Sequence, residues 1–161
     1  MNHRRTFRAA LAVLAVGLAT AGCSVLFPAK DAPRNSEGEI TSSAKADVFS
    51  LKLGDCVGPL ADGDITESTV MPCSDPHNYE AYAAFDLPDG DFPDLLDEEV
   101  DAKCSEEFEA FLGIPYEDSI YEMFSISPTR ESWAVLDDRS VICLVGTDEG
   151  GLTATLAGAA E

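Results

Sequence analysis

The sequence has little positive charge. Only 10 Lys and Arg residues stand against 30 Asp and Glu residues, which gives a formal net charge of −20 at pH 7 over 161 residues. A surface this acidic repels phosphate backbones and anionic lipid headgroups, so nucleic acid is not an expected partner. Histidine is scarcer still, with two residues in the chain. Catalysis that depends on a histidine acid or base therefore has almost no side chains to use.

Long hydrophobic runs are also missing. The longest apolar stretch, Ala9–Ala21, spans 13 residues, whereas a helix that crosses a bilayer needs about 20. The stretch follows three arginines in the first eight residues and ends next to Gly22, an order typical of a secretory signal peptide. We therefore predict that residues 1–22 are cleaved and that the mature chain is exported.

A cysteine follows Ala21-Gly22 directly. This arrangement resembles the bacterial lipobox, which implies that Cys23 is acylated with diacylglycerol and becomes the mature N-terminus. The resemblance predicts that residues 1–22 are a lipoprotein signal peptide and that the protein is anchored on the extracytoplasmic face of the cell membrane. An ordinary signal peptide cleaved nearby, with Cys23 left as a free thiol, is the alternative.

The composition of the mature chain changes near residue 46. Residues 23–46 are rich in Ser, Pro, Ala and charged side chains and have no apolar period, which predicts a flexible tether. The rest has enough apolar residues to build a core, since 45% of the whole chain is hydrophobic. We predict one folded domain over residues 47–158, without internal repeats.

The predicted domain combines short apolar runs with one long amphipathic segment. Leu96, Val100, Cys104 and Phe108 recur at helical spacing with acids between them, which predicts a helix of about 18 residues that ends at Gly113. Strands are predicted over Val48–Leu53, Glu67–Met71, Tyr79–Leu87, Tyr121–Ser127, Ser140–Gly146 and Leu152–Leu156. This pattern favours an α+β fold, a small antiparallel sheet with the one main helix packed on one face.

Two of these strands carry a more detailed expectation. In Tyr79–Leu87, regular alternation would place Ala81, Ala83 and Phe85 together on one face of the sheet. Ser140–Gly146 is almost continuously apolar, which is typical of a strand buried inside a sheet.

The sequence has no Cys-x-x-Cys pair, which argues against a zinc ribbon or a thioredoxin-type centre. Four cysteines remain besides Cys23, and in an oxidising compartment they imply two disulfides. Cys104 lies on the apolar stripe of the helix, facing the sheet, and Cys143 lies in its most apolar strand. Cys56 and Cys73 flank one loop region. We therefore predict Cys56–Cys73 and Cys104–Cys143, with no metal or other cofactor; zinc on Cys56, Cys73 and His77 is the alternative.

Three clusters of residues together indicate a family. They are Leu53-Gly54-Asp55-Cys56, then Cys-x-x-Pro-His-x-x-Glu over residues 73–80, then Glu131-Ser132-Trp133 followed by Asp-Arg-x-Val-x-Cys over residues 138–143. In this order and spacing they resemble the septum-formation domain family of actinobacterial extracytoplasmic and membrane-attached proteins. The resemblance covers residues 47–156. The family often has a glycine where this chain has Asp137. A link to septation or the cell envelope is implied, without an established reaction or ligand.

Each motif side chain has a structural reading beside a binding one. Candidates for binding are Asp55, Pro76, His77, Glu80, Trp133, Asp138 and Arg139. Asp55 is suited to bond backbone amides in a turn, and His77 to brace its loop by a bond to a backbone carbonyl or a carboxylate. Trp133 is either a core anchor or a stacking platform. Arg139 either pairs with Asp138 or Glu131 or recognises an external carboxylate or phosphate.

The acidic loops around residues 62–64 and 89–91 invite a calcium hypothesis, but they do not fit an EF-hand, and solvated surface charge is the better interpretation. No catalytic residue is assigned. We expect a non-enzymatic interaction module whose partners are envelope or division proteins. The alternatives are a binding protein for a small envelope ligand or cation and, third, an envelope-polymer hydrolase. A pocket lined by Trp133, Arg139 and His77 would favour a small ligand, and an exposed apolar patch a protein partner.

Overall fold

The computed structural model describes residues 31–61, 63 and 65–161. The predicted signal peptide and Cys23 lie outside these residues. The strands are β1 (Ala44–Asp47), β2 (Cys56–Val57), β3 (Glu67–Met71), β4 (Tyr79–Asp86), β5 (Glu122–Ile126) and β6 (Ser140–Gly146), and the helices are α1 (Leu96–Leu112) and α2 (Arg130–Leu136). Within the described residues the strands form one antiparallel sheet in the order β1-β3-β2-β4-β6-β5. The predicted α+β fold class is confirmed.

Helix α1 has the spacing expected from its sequence. Its buried side chains are Leu96, Val100, Cys104, Phe108 and Leu112, which repeat every four residues along one stripe. The helix ends at Gly113, whose φ of 94° is the left-handed conformation that glycine adopts without steric cost. The stripe packs on one face of the sheet against β4 and β6.

Strand β6 is buried on both faces, as its continuous apolar run predicted. It pairs with β4 on one side and β5 on the other. Val141, Cys143 and Val145 point toward α1. Ile142 and Leu144 point to a second apolar layer on the opposite face. Because both edge strands contribute to that layer, Ala46 from β1 and Phe124 from β5 among them, the sheet is curled around it.

Both predicted disulfides are present. Cys104–Cys143 joins α1 to β6 inside the core, and both residues are fully buried. Cys56–Cys73 joins β2 to the loop after β3. A zinc site on Cys56, Cys73 and His77 is therefore wrong, because sulfurs bonded to each other offer no thiolate to a metal.

The prediction that Ala81 lies on the same face of the sheet as Ala83 and Phe85 is wrong. Ala81 pairs with Leu144 and Ala83 with the adjacent Cys143, so the strand contains a β-bulge at Tyr82. The extra residue reverses the alternation. Ala81 therefore packs into the second layer, while Tyr82 and Ala83 face α1.

The predicted tether is wrong from residue 31 onward. Ala32 and Ile40 are buried in the second apolar layer, and β1 pairs with β3 over four residues. A short segment can be held this way without any apolar period of its own, because a few side chains cover an existing sheet face. The folded domain also extends beyond its predicted end at residue 158, because the Ala160 amide donates a hydrogen bond to the Leu112 carbonyl.

Four further elements differ from the sequence prediction, and one of them is the short strand β2, which was not predicted. Val48–Ser50 is a single 3₁₀ turn after β1, and not a strand. Leu152–Leu156 makes only one bridge, between Leu152 and His77. Helix α2 was not predicted; it begins with a capping box in which Thr129 and Ser132 bond each other's backbone amides.

Candidate functional site

Asp55 is held by a side chain from the segment predicted to be a tether. The carboxylate accepts bonds of 2.7 and 2.5 Å from the two terminal nitrogens of Arg34 and one of 2.7 Å from the Lys52 amide. Asp55 is 4% exposed. The hydrogen bond to Asp55 raises the pKa of the Arg34 guanidinium. The predicted bond to a backbone amide is present. Two of the three hydrogen bonds to the carboxylate, however, come from Arg34 and form a bidentate ion pair inside the fold.

His77 braces the loop between Cys73 and β4. Its ring is buried, and Nδ1 lies 2.9 Å from the Asp75 carbonyl oxygen, so Nδ1 must be the donor. Its backbone forms a two-bond bridge with Leu152. Pro76, directly before it, is exposed. The side chain and backbone of His77 thus tie the disulfide loop to the C-terminal segment.

Replacing His77 by Ala should lower the free energy of unfolding by about 1–3 kcal/mol, because a buried side chain and its bond are lost together. Urea denaturation of the purified protein measures this. Ser74→Ala, at an exposed position of the same loop, is the matched control and should change stability by less than about 0.5 kcal/mol. Unchanged stability of the His77 variant together with a septation defect would instead make His77 a contact residue.

Glu80 also holds the C-terminal segment that His77 contacts at Leu152. Its carboxylate is 2% exposed and accepts bonds of 2.7 Å each from the Thr155 hydroxyl and the Leu156 amide. One of its oxygens lies within 4.8 Å of the sulfurs of Cys56 and Cys73. Since those sulfurs form a disulfide, they offer no thiolate to a metal, and the cluster has a structural role.

Trp133 and Arg139 pack on each other. The indole of Trp133 is buried on α2 and donates to the Gly90 carbonyl at 3.0 Å. The Arg139 guanidinium lies 3.7 Å above the centre of the indole ring, a cation–π contact. Arg139 also bonds the Asp137 carboxylate at 2.8 Å. Arg139 therefore forms an intramolecular ion pair, as predicted, but its partner is Asp137 and not Asp138 or Glu131.

Asp137 and Asp138 end helix α2. Asp138 accepts from the Ser132 hydroxyl at 2.9 Å and from the Ser140 amide at 3.0 Å, which turns the chain into β6. Asp137 has a φ of 56°, in the left-handed region. Glycine takes this conformation without steric cost, and Asp is one of the few other residues that tolerate it.

The motif residues do not converge on one site. Asp55, His77 and Glu80 surround the start of β4, whereas Arg139 lies beside Ser140, which pairs with Asp86 at the end of that strand. Six residues of strand separate the two groups by roughly 20 Å. The pocket of Trp133, Arg139 and His77 that would have favoured a small ligand is not formed.

Of the two acidic loops in the calcium hypothesis, the structure fully describes only the one at residues 89–91, and it does not support a calcium site there. Asp89 and Asp91 are exposed, and Asp62 and Asp64 lie outside the described residues. The carboxylates that line a second, smaller cavity of about 500 Å³ share it with the Arg139 guanidinium, which already supplies positive charge there.

One cavity of the described residues is an open groove with a volume of about 910 Å³, and of the motif residues only Glu131 and Ser132 line it. We call it the apolar groove. One wall is the start of α1, the other is α2 with the loop that follows β5, and Phe49 and Ile65 also line the groove. Leu96 and Ile126 are buried beneath it. Sequence reasoning missed this site, because its apolar side chains come from segments with no shared period.

The groove exposes large apolar side chains to solvent. Leu136 is 69% exposed, Val135 72%, Leu95 57% and Phe49 49%. Its rim is acidic, with exposed carboxylates at Asp94, Asp97, Glu98 and Glu131. Arg130 is the one basic side chain among the lining residues and lies over the Phe92 ring at 4.4 Å.

These features define a class of protein: an acidic, disulfide-bonded α+β domain that carries an exposed apolar groove and uses its most distinctive polar residues inside the fold. A family model described as Septum formation matches residues 12–143, most of the chain, and the chain belongs to this family. The match includes residues 31–46, in agreement with their packing on the sheet. No curated protein and no solved structure matched significantly. None of the described helices is long and apolar enough to cross a membrane.

Proposed function

We propose that this protein is a non-enzymatic interaction module of the cell envelope, anchored on the extracytoplasmic face of the membrane by a lipid on Cys23 and acting in septum formation. The observation that carries the proposal is the apolar groove, which concentrates solvent-exposed hydrophobic side chains on one surface. Contiguous exposed apolar surface of this kind is typical of protein–protein contact sites. Membership of the septum-formation family supports the process.

The arrangement of polar groups also favours a partner surface over a reaction centre. Two buried carboxylates that an active site could use are bonded within the fold: Asp55 to Arg34, and Glu80 to Thr155 and Leu156. His77 is bonded through Nδ1 only, and its buried Nε2 has no partner among the described residues. The buried imidazole of His77 does not line the groove. The Thr129 and Ser132 hydroxyls, which do line it, cap α2.

The proposal is tested in cells in which the chromosomal copy carries Val135→Asp or Leu136→Asp. Septation should fail or be delayed, measured as cell length and septum count, because a charge in the groove blocks apolar contact. Ala134→Asp is the matched control: it adds the same charge at an exposed position of the same helix that does not line the groove. Normal septation in both groove variants, at normal protein level, would contradict the proposed function.

Replacing Cys23 by Ala should release the mature domain from membranes. The described residues contain no spanning helix, and their net acidity opposes binding to anionic lipid. Fractionation of cells, with immunodetection of the cleaved form, measures the release. Mass spectrometry of the wild-type protein should find an N-terminal Cys23 that carries the mass of a lipid. Retention of a cleaved Cys23→Ala form in the membrane would show that another anchor exists.

A further inference from the structure

The apolar groove is distinguished from ordinary surface by how many apolar side chains it gathers. Among the described residues, four of the six most exposed large hydrophobic side chains line it; the other two, Leu53 and Ile120, lie elsewhere. Single exposed apolar residues are normal on a protein surface, but a contiguous group with a concave shape marks a binding site.

The groove is held in shape by parts of the fold that are themselves fixed. Helix α2 is anchored by the buried Trp133 indole and by its capping box, so Val135 and Leu136 are presented from a short, pinned helix. Leu95 stands at the start of α1, whose next residue, Leu96, is buried in the core. A preformed site loses less conformational freedom when a ligand binds.

The charge around the groove selects its occupant. The start of a helix ordinarily attracts anions, but α1 has Asp97, Glu98 and Glu99 in its first turn, and Asp94 precedes it. Together with Glu131 on the opposite wall, these carboxylates outnumber the single basic residue of the lining, Arg130. A cationic ligand is therefore favoured over an anionic one.

The same charge argues against other occupants. A second copy of this chain would bring together two acidic molecules, since acids outnumber bases 30 to 10 in the sequence, and an anionic lipid surface would meet the acidic rim. A volume of about 910 Å³ is near the upper end of the range of roughly 300–1,000 Å³ that ligand pockets occupy, which gives room for several side chains.

We infer that the apolar groove binds a segment of a partner polypeptide in which a few aliphatic or aromatic side chains are flanked by Lys or Arg. The apolar side chains fill the space between α1 and α2, and the basic ones face the rim carboxylates. This inference rests on the proposed function and specifies the partner chemistry of the same site.

Fluorescence anisotropy with the full mature lipoprotein in neutral detergent micelles tests the inference. The probes are labelled synthetic 12-residue peptides: one with three Leu or Phe residues flanked by Lys, one with those Lys changed to Glu, and one with the apolar residues changed to Ser. The first peptide should bind at least tenfold more tightly than either of the others. Its affinity should fall when salt is raised from 50 to 300 mM, because the rim charges are screened.

Groove and surface variants then locate the binding. The double variant Leu95→Ser/Leu136→Ser should weaken binding of the first peptide at least tenfold. Leu53→Ser and Ile120→Ser are the matched controls, since these side chains are 61% and 73% exposed and lie outside the groove. They should leave affinity unchanged within twofold. Changing the rim with Asp97→Asn/Glu98→Gln should reduce affinity for the Lys peptide and flatten its dependence on salt.

Several results would overturn the inference. Equal binding of the Lys and Glu peptides would remove the charge argument, and equal binding of the Ser peptide would mean that a basic peptide attaches to the acidic surface nonspecifically. Equal loss in the Leu53 and Ile120 controls would place the site elsewhere. Absence of peptide binding, with septation still impaired by Val135→Asp, would reject this partner chemistry and leave the proposed function standing. Specific peptide binding with normal septation in the groove variants would support this partner chemistry and reject the proposed function in septation.

Discussion

Replacing Cys104 and Cys143 together by alanine should lower the free energy of unfolding by about 4 kcal/mol. The disulfide closes a loop with a sequence separation of 39 residues, and its loss frees that loop in the unfolded chain, raising the conformational entropy of that state. Both residues are fully buried where α1 meets β6. The loss is a large part of the total, because domains of this size are stable by only about 5–15 kcal/mol.

Urea denaturation followed by the fluorescence of Trp133, the single tryptophan, measures this change. The double variant Cys56→Ala/Cys73→Ala is the internal comparison: with a separation of 17 residues, it should lose about 3 kcal/mol, somewhat less than the longer loop. A cost below about 1 kcal/mol for the Cys104–Cys143 pair would show that the unfolded chain is already constrained there and would contradict the prediction.

Replacing Asp55 by Ala should cost about 3 kcal/mol, because it leaves the Arg34 guanidinium largely buried without its carboxylate. The Arg34 side chain is 14% exposed and that of Asp55 is 4% exposed, so solvent screens the pair little. The Lys52 amide loses its acceptor as well. Chemical denaturation of the single variants and of Arg34→Ala/Asp55→Ala gives the coupling energy by a double-mutant cycle.

Glu37→Ala is the matched control for the Asp55 variant. Glu37 is an exposed carboxylate in the same N-terminal segment, and its loss should change stability by less than about 0.5 kcal/mol. If residues 31–46 were the flexible tether that their composition suggests, Arg34→Ala would be equally harmless. A negligible coupling energy between Arg34 and Asp55 would therefore support the tether and count against the packed segment.

The elements that were predicted correctly depend on neighbours close in sequence. The stripe from Leu96 to Leu112 repeats with the period of a helix, and Gly113 ends it, so both follow from local geometry. Ser140–Gly146 has no polar face and must be covered on both sides. Because the helix stripe and this strand each carry a cysteine, the Cys104–Cys143 pairing can be predicted from the sequence.

The elements that were missed depend on partners distant in sequence. Composition alone assigns Ala32 and Ile40 to a tether, since the residues next to them in sequence do not indicate which sheet face they cover. The bulge at Tyr82 arises from pairing with β6, and a bulge of this kind has no reliable signature in one strand. Helix α2 is short, and its start is marked only by the bonds between Thr129 and Ser132.

The division is clearest at the candidate site. The sequence by itself determined which polar residues are distinctive, and motif spacing led to Asp55, His77 and Arg139; their side chains proved to be bonded within the fold. Only the tertiary structure decided where the apolar groove lies. Phe49, Leu95 and Leu136 belong to three separate segments, and they meet because the curled sheet and the two helices bring those segments side by side. Hydrophobic burial sets how much apolar surface is covered, but the geometry of packing sets which part stays exposed.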